Sequence, residues 1–319
     1  MNTIAVDFET FFDRKRKISL TSMSPEQYLE HPEVHVYLVA MVGDDFEYCG
    51  DVENAPWDKL KGAAFVAHNA RWDYACLRSL LEKGQGAEPA KVFCTADMAA
   101  YLWGIRALAP AYEYAFGEKV SKQYRTTAEG RTGEELKADK EAWVEIVEAG
   151  IIDARTCKRL WDEHNHLWPD DEKEISEINR EGQMLGVYID MELAERNMEI
   201  CKAIMVEVEQ RIPWADEWRE CGKHKTPLAA VYVKAYANKM GVVLPKSLDK
   251  KNPEFIKWKA ESNLDWVWAM EEWNEAHRLL NIHETELSMT MKDGVMPFNL
   301  KYFGAIATGR FSGGREEDE

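Results

Sequence analysis

Acidic residues at short, regular spacings are the first feature of this chain with a chemical reading. In Val6-Asp7-Phe8-Glu9-Thr10 two carboxylates stand two residues apart. On a strand, residues i and i+2 share a face, so Asp7 and Glu9 project together while Phe8 turns to the other side. Like charges this close persist on a solvated surface or where a cation neutralises them, and hard oxygen donors suit Mg²⁺ or Mn²⁺. A solvated strand end is the plain alternative. A second set lies in Ala67-His68-Asn69-Ala70-Arg71-Trp72-Asp73. If a helix opens at Asn69, a favourable cap residue, Asp73 shares its face four residues on. The plain alternative is a cap followed by first-turn charge that suits the helix dipole. A third acid, Asp153 in Ile151-Ile152-Asp153-Ala154, stands at the predicted head of an amphipathic helix, which is also an ordinary helix start.

The elements that must position these acids follow from the apolar patterning. Segments 3–8, 34–42, 63–68 and 92–95 are rich in β-branched and aromatic residues and are predicted strands. Amphipathic stretches at 72–82, 95–103, 133–149 and 153–168 are predicted helices. The alternation predicts an α/β domain over residues 1–168. The pattern breaks at His166-Leu167-Trp168-Pro169, with Pro169 suited to the first turn of the next helix. Beyond it, residues 169–294 read as a mostly helical region, with long charged helices at 171–185, 191–212, 227–240 and 265–287. Segment 295–303 is β-like, so residues 295–319 read as the start of a further element. The polar, charged end is expected to fray.

The sequence has 319 residues, 40 Lys and Arg against 57 Asp and Glu, and a net charge of −17. At 45% apolar and 30% charged residues it is globular in composition, and its length favours two domains. The acidity disfavours a protein that coats nucleic acid through Lys and Arg, yet it permits a site that meets a strand through bound metal ions. Six cysteines without a CxxC pair predict reduced thiols rather than zinc or disulfides. No apolar run approaches the roughly 20 residues of a membrane span, and the opening residues lack the pattern of an export signal. A cytoplasmic protein with no membrane partner is expected.

The order and spacing of the acids resemble those of the DEDD 3′-to-5′ exonucleases: a D-x-E on the first strand, an N-x₃-D at an early helix and a last Asp before the final helix of the domain. The resemblance covers residues 1 to about 168. It implies a ribonuclease-H-like fold and two-metal hydrolysis of nucleic-acid 3′ ends with Mg²⁺ or Mn²⁺. Asp7, Glu9 and Asp153 would hold the first ion, Asp7 would bridge to the second, and Asp73 would orient water from the outer shell. Thr10, Phe11 and Asn69 would contact the DNA strand. Phe11 and Phe12 would stack on its terminal base, or else at least one packs into the core. One departure stands out. Members of this group carry Tyr four residues before the last Asp, or His five before, and here those positions hold Ala149 and Glu148. The general-base role is therefore unfilled or passes to a neighbour such as Glu148.

The second half resembles family A (DNA polymerase I type) polymerases, bacteriophage members in particular. Gly186-Val187-Tyr188-Ile189-Asp190 is similar to the entry to their thumb, and 241–250 to a phage thumb segment. Tyr302-Phe303-Gly304-Ala305-Ile306-Ala307-Thr308-Gly309-Arg310-Phe311-Ser312-Gly313-Gly314 is similar to the threshold of their palm. The resemblance implies that Thr308 and Arg310 contact primer-template backbone. Palm and fingers motifs have no counterpart in the sequence, so the expectation is a proofreading exonuclease with a thumb that does not polymerise alone. A second chain carrying palm and fingers is one possible partner, and a truncated product is the other explanation. Segment 295–303 would then be an exposed strand edge. Two alternatives stay open: a non-catalytic DNA-binding or assembly subunit, and an RNA 3′-trimming nuclease.

Three smaller features complete the reading. Arg14-Lys15-Arg16-Lys17 suits either a phosphate contact or a solvated loop. His164 and His166 read as an exposed helix end. Trp258, Trp266, Trp268 and Trp273 suit thumb core or a partner interface. Ala149→Tyr is expected to increase degradation of single-stranded DNA in a labelled-oligonucleotide assay, and no gain would count against this account of the missing tyrosine.

Overall fold

Alternating β-branched and aromatic residues carry the first half into a five-stranded sheet. In the computed structural model, which describes residues 1–120, 125–224, 226–249 and 251–313, its strands are β1 (Thr3–Thr10), β2 (Val36–Val42), β3 (Glu47–Gly50), β4 (Ala64–Ala67) and β5 (Lys91–Cys94). Lys250 and residues 314–319, including Gly314 of the palm-like stretch and the end expected to fray, lie outside the described residues. The strand order is β3-β2-β1-β4-β5. β1 runs antiparallel to β2 and parallel to β4, and β4 runs parallel to β5. β3, a short edge strand paired to β2, escaped the sequence reading because Glu47-Tyr48-Cys49-Gly50 has little β-branched character.

The helices of this half are α1 (Pro25–Leu29), α2 (Ala70–Glu82), α3 (Thr95–Trp103), α4 (Leu108–Phe116), α5 (Arg125–Ala128), α6 (Gly133–Ala138), α7 (Lys140–His164) and α8 (Asp170–Leu185). The sheet has an apolar cluster on each face. Ile4, Val6 and Phe8 pack with Ala70, Cys76, Leu77 and Leu80 of α2. Ala5, Ala40, Val42 and Val66 pack with Ala154, Cys157, Leu160 and Trp161 of α7. All four residues of β4 are buried, as expected for a central strand covered on both sides.

Where the sequence predicts two helices over 133–149 and 153–168, the structure has a short α6 and one long α7. Gly150 does not break α7. A Cβ there would lie 3.2 Å from Leu38 Cδ2 and 3.7 Å from Ala40 Cβ, so the missing side chain lets the helix approach β2. The cost of an interior glycine, about 1 kcal/mol, is set against that close packing.

The chain divides into two compact units, Met1–Val187 with the segment from Pro297 onward, and Tyr188–Met296. The first unit thus extends past the break expected at Trp168. Trp168 is fully buried in it, and α8 belongs to it through buried Ser176, Arg180 and Gln183. The returning segment forms a hairpin of β8 (Leu300–Ala305) and β9 (Arg310–Gly313), after the two-residue strands β6 (Val187–Tyr188) and β7 (Val295–Met296). The exposed edge expected for 295–303 is corrected here. β8 pairs with β9, and Tyr302, 2% exposed, is inserted into the α7-side cluster.

The second unit holds α9 (Met191–Glu209), α10 (Ala215–Cys221), α11 (Ala230–Met240), α12 (Pro253–Glu261) and α13 (Asp265–Met289). Its core gathers Trp214, Trp266, Trp273, Tyr232 and Val233, with Trp258 partly buried against it. Trp214 Nε1 donates to Pro227 O at 2.7 Å and Trp273 Nε1 to Glu209 Oε1 at 3.0 Å, so these buried indoles are satisfied. Trp268 alone of the four singled-out tryptophans is exposed. No described helix is long and apolar enough to cross a membrane. Trp168→Ala is expected to destabilise the first unit by about 3–5 kcal/mol, measured as a shift of its denaturant midpoint.

Candidate active site

The carboxyl ends of the parallel strands are where an open α/β sheet leaves room for chemistry. Alternation along β1 sends Ile4, Val6 and Phe8 to the α2 side and Ala5 to the α7 side, so Asp7 and Glu9 follow Ala5 toward α7. Their partners across β2 are Ala40 and Leu38. β4 pairs with β1 only as far as Ala5, which leaves the later backbone donors on that side of β1 without a strand. Asp73, 2% exposed in the first turn of α2, accepts from the Phe8 N–H at Oδ1, 3.2 Å away. Its carboxylate therefore sits at the peptide flanked by Asp7 and Glu9.

Asp153 reaches the same region from α7. Gly150 crosses β2 at Leu38 and Ala40, the register partners of Glu9 and Asp7. Cys157 hydrogen-bonds Thr95 Oγ1 at 3.3 Å. Asp153 stands three residues after the one and four before the other, on the stripe of α7 that faces the sheet. It occupies the middle of a 25-residue helix and does not head one, a correction to the sequence reading. Among the described residues no group of three or more His, Cys, Asp and Glu side chains is set to hold a metal ion. The Phe8 hydrogen bond ties Asp73 to the β1 acids, while Asp153 shares a face of α7 with Gly150 and Cys157. Clustered carboxylates repel, and a divalent cation offsets that repulsion.

Nearby titratable groups register the negative charge. Burial first, then Asp7 and Glu9, push the Cys49 thiol up to about 12. Burial above all, followed by Asp73 and Asp7, raises the Cys157 thiol well above its ordinary range against the Thr95 hydrogen bond. The Tyr37 phenol is raised by burial and then by Glu9, and its hydroxyl is buried without a hydrogen-bond partner.

The strand-contact candidates separate. Thr10 Oγ1 lies 3.2 Å from Tyr28 Oη and is nearly buried. Phe11 is 3% exposed and its ring stacks on His35, so it is core and offers no face to a base, which corrects the stacking expectation. Phe12 is half-buried and carries the Arg14 guanidinium over its ring. Asn69 holds the N-cap position of α2 with φ 68°, in the left-handed region, and its side chain makes no cap hydrogen bond, contrary to the predicted cap. Thr308 and Arg310 are exposed at the turn of the β8–β9 hairpin, where Gly309 takes φ 65°. Ala149 is buried, and Glu148 is exposed.

The basic run at 14–17 forms a turn closed by the Asp13–Ile18 bridge, with Arg16 paired to Glu33. His164 ends α7 half-buried, its ring edge-on to Trp103 and stacked on Phe116, while His166 is exposed as expected. Three polar residues of this region escaped the sequence reading. His68 bridges Thr95 Oγ1 at 2.9 Å and the Arg106 carbonyl at 2.6 Å. Arg106 also reaches Asp97 Oδ1 at 2.7 Å. Their one sequence signal is a histidine directly after the all-apolar strand β4.

No protein-family model matches the sequence, and no curated protein matches it. Among solved structures, the chain is similar to the POL domain of Pol1 from M. smegmatis in complex with DNA primer-template and dNTP. The TM-score is 0.59 at 14% identity, over 97% of this chain and 50% of that one. At this identity the likeness is one of fold, and the chain spans about half the length of the structure it matches. The protein has a polymerase-related fold. For the acidic strand end, Asp7→Asn/Glu9→Gln is expected to lower the Cys49 pKa and speed its alkylation at pH 8.5, because neighbouring carboxylates oppose the thiolate. An unchanged alkylation rate, followed by peptide mass spectrometry, would separate Cys49 from these acids.

Proposed function

We propose that this protein is a metal-dependent 3′-to-5′ exonuclease of the DEDD type, joined to a polymerase thumb and the threshold of a palm. Its substrate would be the 3′ end of DNA, and its product 5′-mononucleotides. The observation that carries this reading is the Asp73 carboxylate on the Phe8 N–H, between Asp7 and Glu9. The strand order β3-β2-β1-β4-β5 supports the ribonuclease-H-like assignment. The polymerase-related fold supports the kinship of the second half with family A enzymes, and the Tyr302–Gly314 motif is the ground for a phage-type member.

The donor set fits Mg²⁺ or Mn²⁺, since it consists of carboxylates alone. Asp7, Glu9 and Asp153 would hold the two ions. When bound, the pair supplies an activated water and stabilises the departing 3′ oxygen. Asp73 would act from behind: its hydrogen bond to Phe8 N ties α2 to the strand that carries both ligands. Asn69 would contact the terminal nucleotide, while Thr308 and Arg310 would meet backbone phosphates of primer-template DNA.

Ala149 and the outward Glu148 favour a second reading, a non-catalytic DNA-binding or assembly subunit, in which the acids persist and no side chain takes the attacking proton. Labelled single-stranded DNA with Mg²⁺ or Mn²⁺ separates the two. Stepwise loss of 3′ nucleotides is expected, abolished by chelation and by Asp7→Ala/Glu9→Ala and reduced roughly 10–100-fold by Asp73→Asn. Binding without cleavage would favour the subunit. Faster trimming of RNA than of DNA of equal sequence would shift the substrate to RNA.

A further inference from the structure

A cavity of about 310 Å³ opens in the first unit beyond the carboxyl ends of β4 and β5, lined in part by Asn69, Arg71, Asp97, Arg106, Arg180 and Lys301. In a chain with 57 acids and 40 bases, this lining holds four cationic side chains and one carboxylate. Two of the cations are matched. Arg106 pairs with Asp97 at 2.7 Å, and Arg71 pairs with Glu26 at 3.0 Å. Arg180 and Lys301 remain.

Arg180 is the unusual group. It is 4% exposed, and both its Nε and its Nη1 are buried without a hydrogen-bond partner among the described residues. Its ion-pair neighbour Glu177 stands 3.9 Å away, beyond hydrogen-bond range. A buried guanidinium left in this state costs several kcal/mol in principle, and proteins rarely keep one without a use. As a charged donor it suits an oxyanion, the partner that guanidinium groups hydrogen-bond most strongly. The excess of cationic over anionic side chains in the lining suits a phosphate monoester, which carries about −1.5 to −2 near neutrality. The volume is at the lower end of the roughly 300–1,000 Å³ of small-molecule sites, ample for such a group.

We propose that this cavity binds a phosphate group, gripped by Arg180 from α8 and by Lys301 from β8. The proposal does not depend on the exonuclease reading, because none of the four acids lines the cavity. Occupancy would join α8 to the hairpin that carries Thr308 and Arg310. The phosphate is either free, as inorganic phosphate or a mononucleotide, or part of a strand.

The full chain, free of divalent ions so that no strand is cut, is titrated by calorimetry and thermal melting. The three probes are inorganic phosphate, a 5′-deoxynucleoside monophosphate and a short single-stranded oligonucleotide, all at ionic strength matched with chloride. A melting-temperature rise with either small probe assigns a free phosphate, and a rise with the oligonucleotide alone assigns the strand backbone. In both cases Arg180→Gln is expected to weaken binding at least about tenfold while leaving the ligand-free protein as stable as before or more so. Lys301→Gln, on the half-exposed strand, is expected to weaken it several-fold, and it decides the matter if Arg180→Gln does not fold. The response is expected to survive Asp7→Asn/Glu9→Gln. No response to any probe, unchanged affinity in the Arg180 and Lys301 variants, or loss of the response in the acid variant would overturn the proposal.

Discussion

A helix can carry an acid across the middle of a sheet only if the residues under the crossing are small. Here α7 meets β1 and β2 with Gly150 and Ala154 against Ala5 and Ala40, so helix and sheet approach closely where the acids of β1 lie. Three consequences follow from that one contact. Asp153 is held on the sheet-facing stripe of α7, between Gly150 and Cys157. Half-buried Cys49 and buried Cys157 lie beside carboxylates, and burial first, then that charge, keeps both as thiols. The long helix then runs on to Leu160 and Trp161, whose burial covers the α7 side of the sheet. Bulk at Gly150 would lift the helix and separate the acids before it touched any of them.

A second fastening works through polar groups. Asp97 accepts from Arg106 at one oxygen and from Ser176 at the other, at 2.7 and 2.6 Å. Arg106 then donates to the Tyr302 carbonyl at 2.6 Å, while the Leu300 N–H donates to Gln183 and its carbonyl accepts from Asn179 and Gln183. Segments far apart in the chain are joined in this way: α3, α8 and β8. An ion pair so enclosed gains little net stability, but it penalises any other arrangement that leaves one partner alone. The network therefore specifies where the returning hairpin seats, and the Tyr302 ring supplies the apolar part of the same anchor.

Charge is distributed unevenly in the first unit. Carboxylates gather at the end of β1, whereas the cavity beyond β4 and β5 is cationic. A nucleic acid is repelled by the first surface unless divalent ions intervene and attracted by the second without them. The two lie on either side of the junction between β4 and α2, where Asn69 holds the left-handed conformation. Backbone strain of this kind is tolerated where the surrounding structure dictates it, and here the buried Ala67 and Ala70 on each side leave the chain no freer path.

The local chemistry of the chain was legible without coordinates. β-branched and aromatic content announced β1, β2, β4 and β5, amphipathic spacing announced α2, α3 and the long helices, and the i,i+2 rule put Asp7 and Glu9 on one face opposite Phe8. These are properties of neighbours in the chain, governed by backbone geometry. Other features depend on contacts between distant residues, and there tertiary structure decided. Gly150 looked like a helix boundary until β2 gave it a surface to approach, and Phe11 looked available until His35 and Tyr28 enclosed it. Asn69 looked like a cap, yet the turn from β4 fixed its backbone instead. Likewise Trp168 looked like a domain edge, and segment 295–303 a stray strand, because the partners that bury Trp168 and Tyr302 are brought together only by the folded sheet and α8. Patterning reveals which face of an element is apolar, but what covers that face is set by packing among segments that may be more than a hundred residues apart.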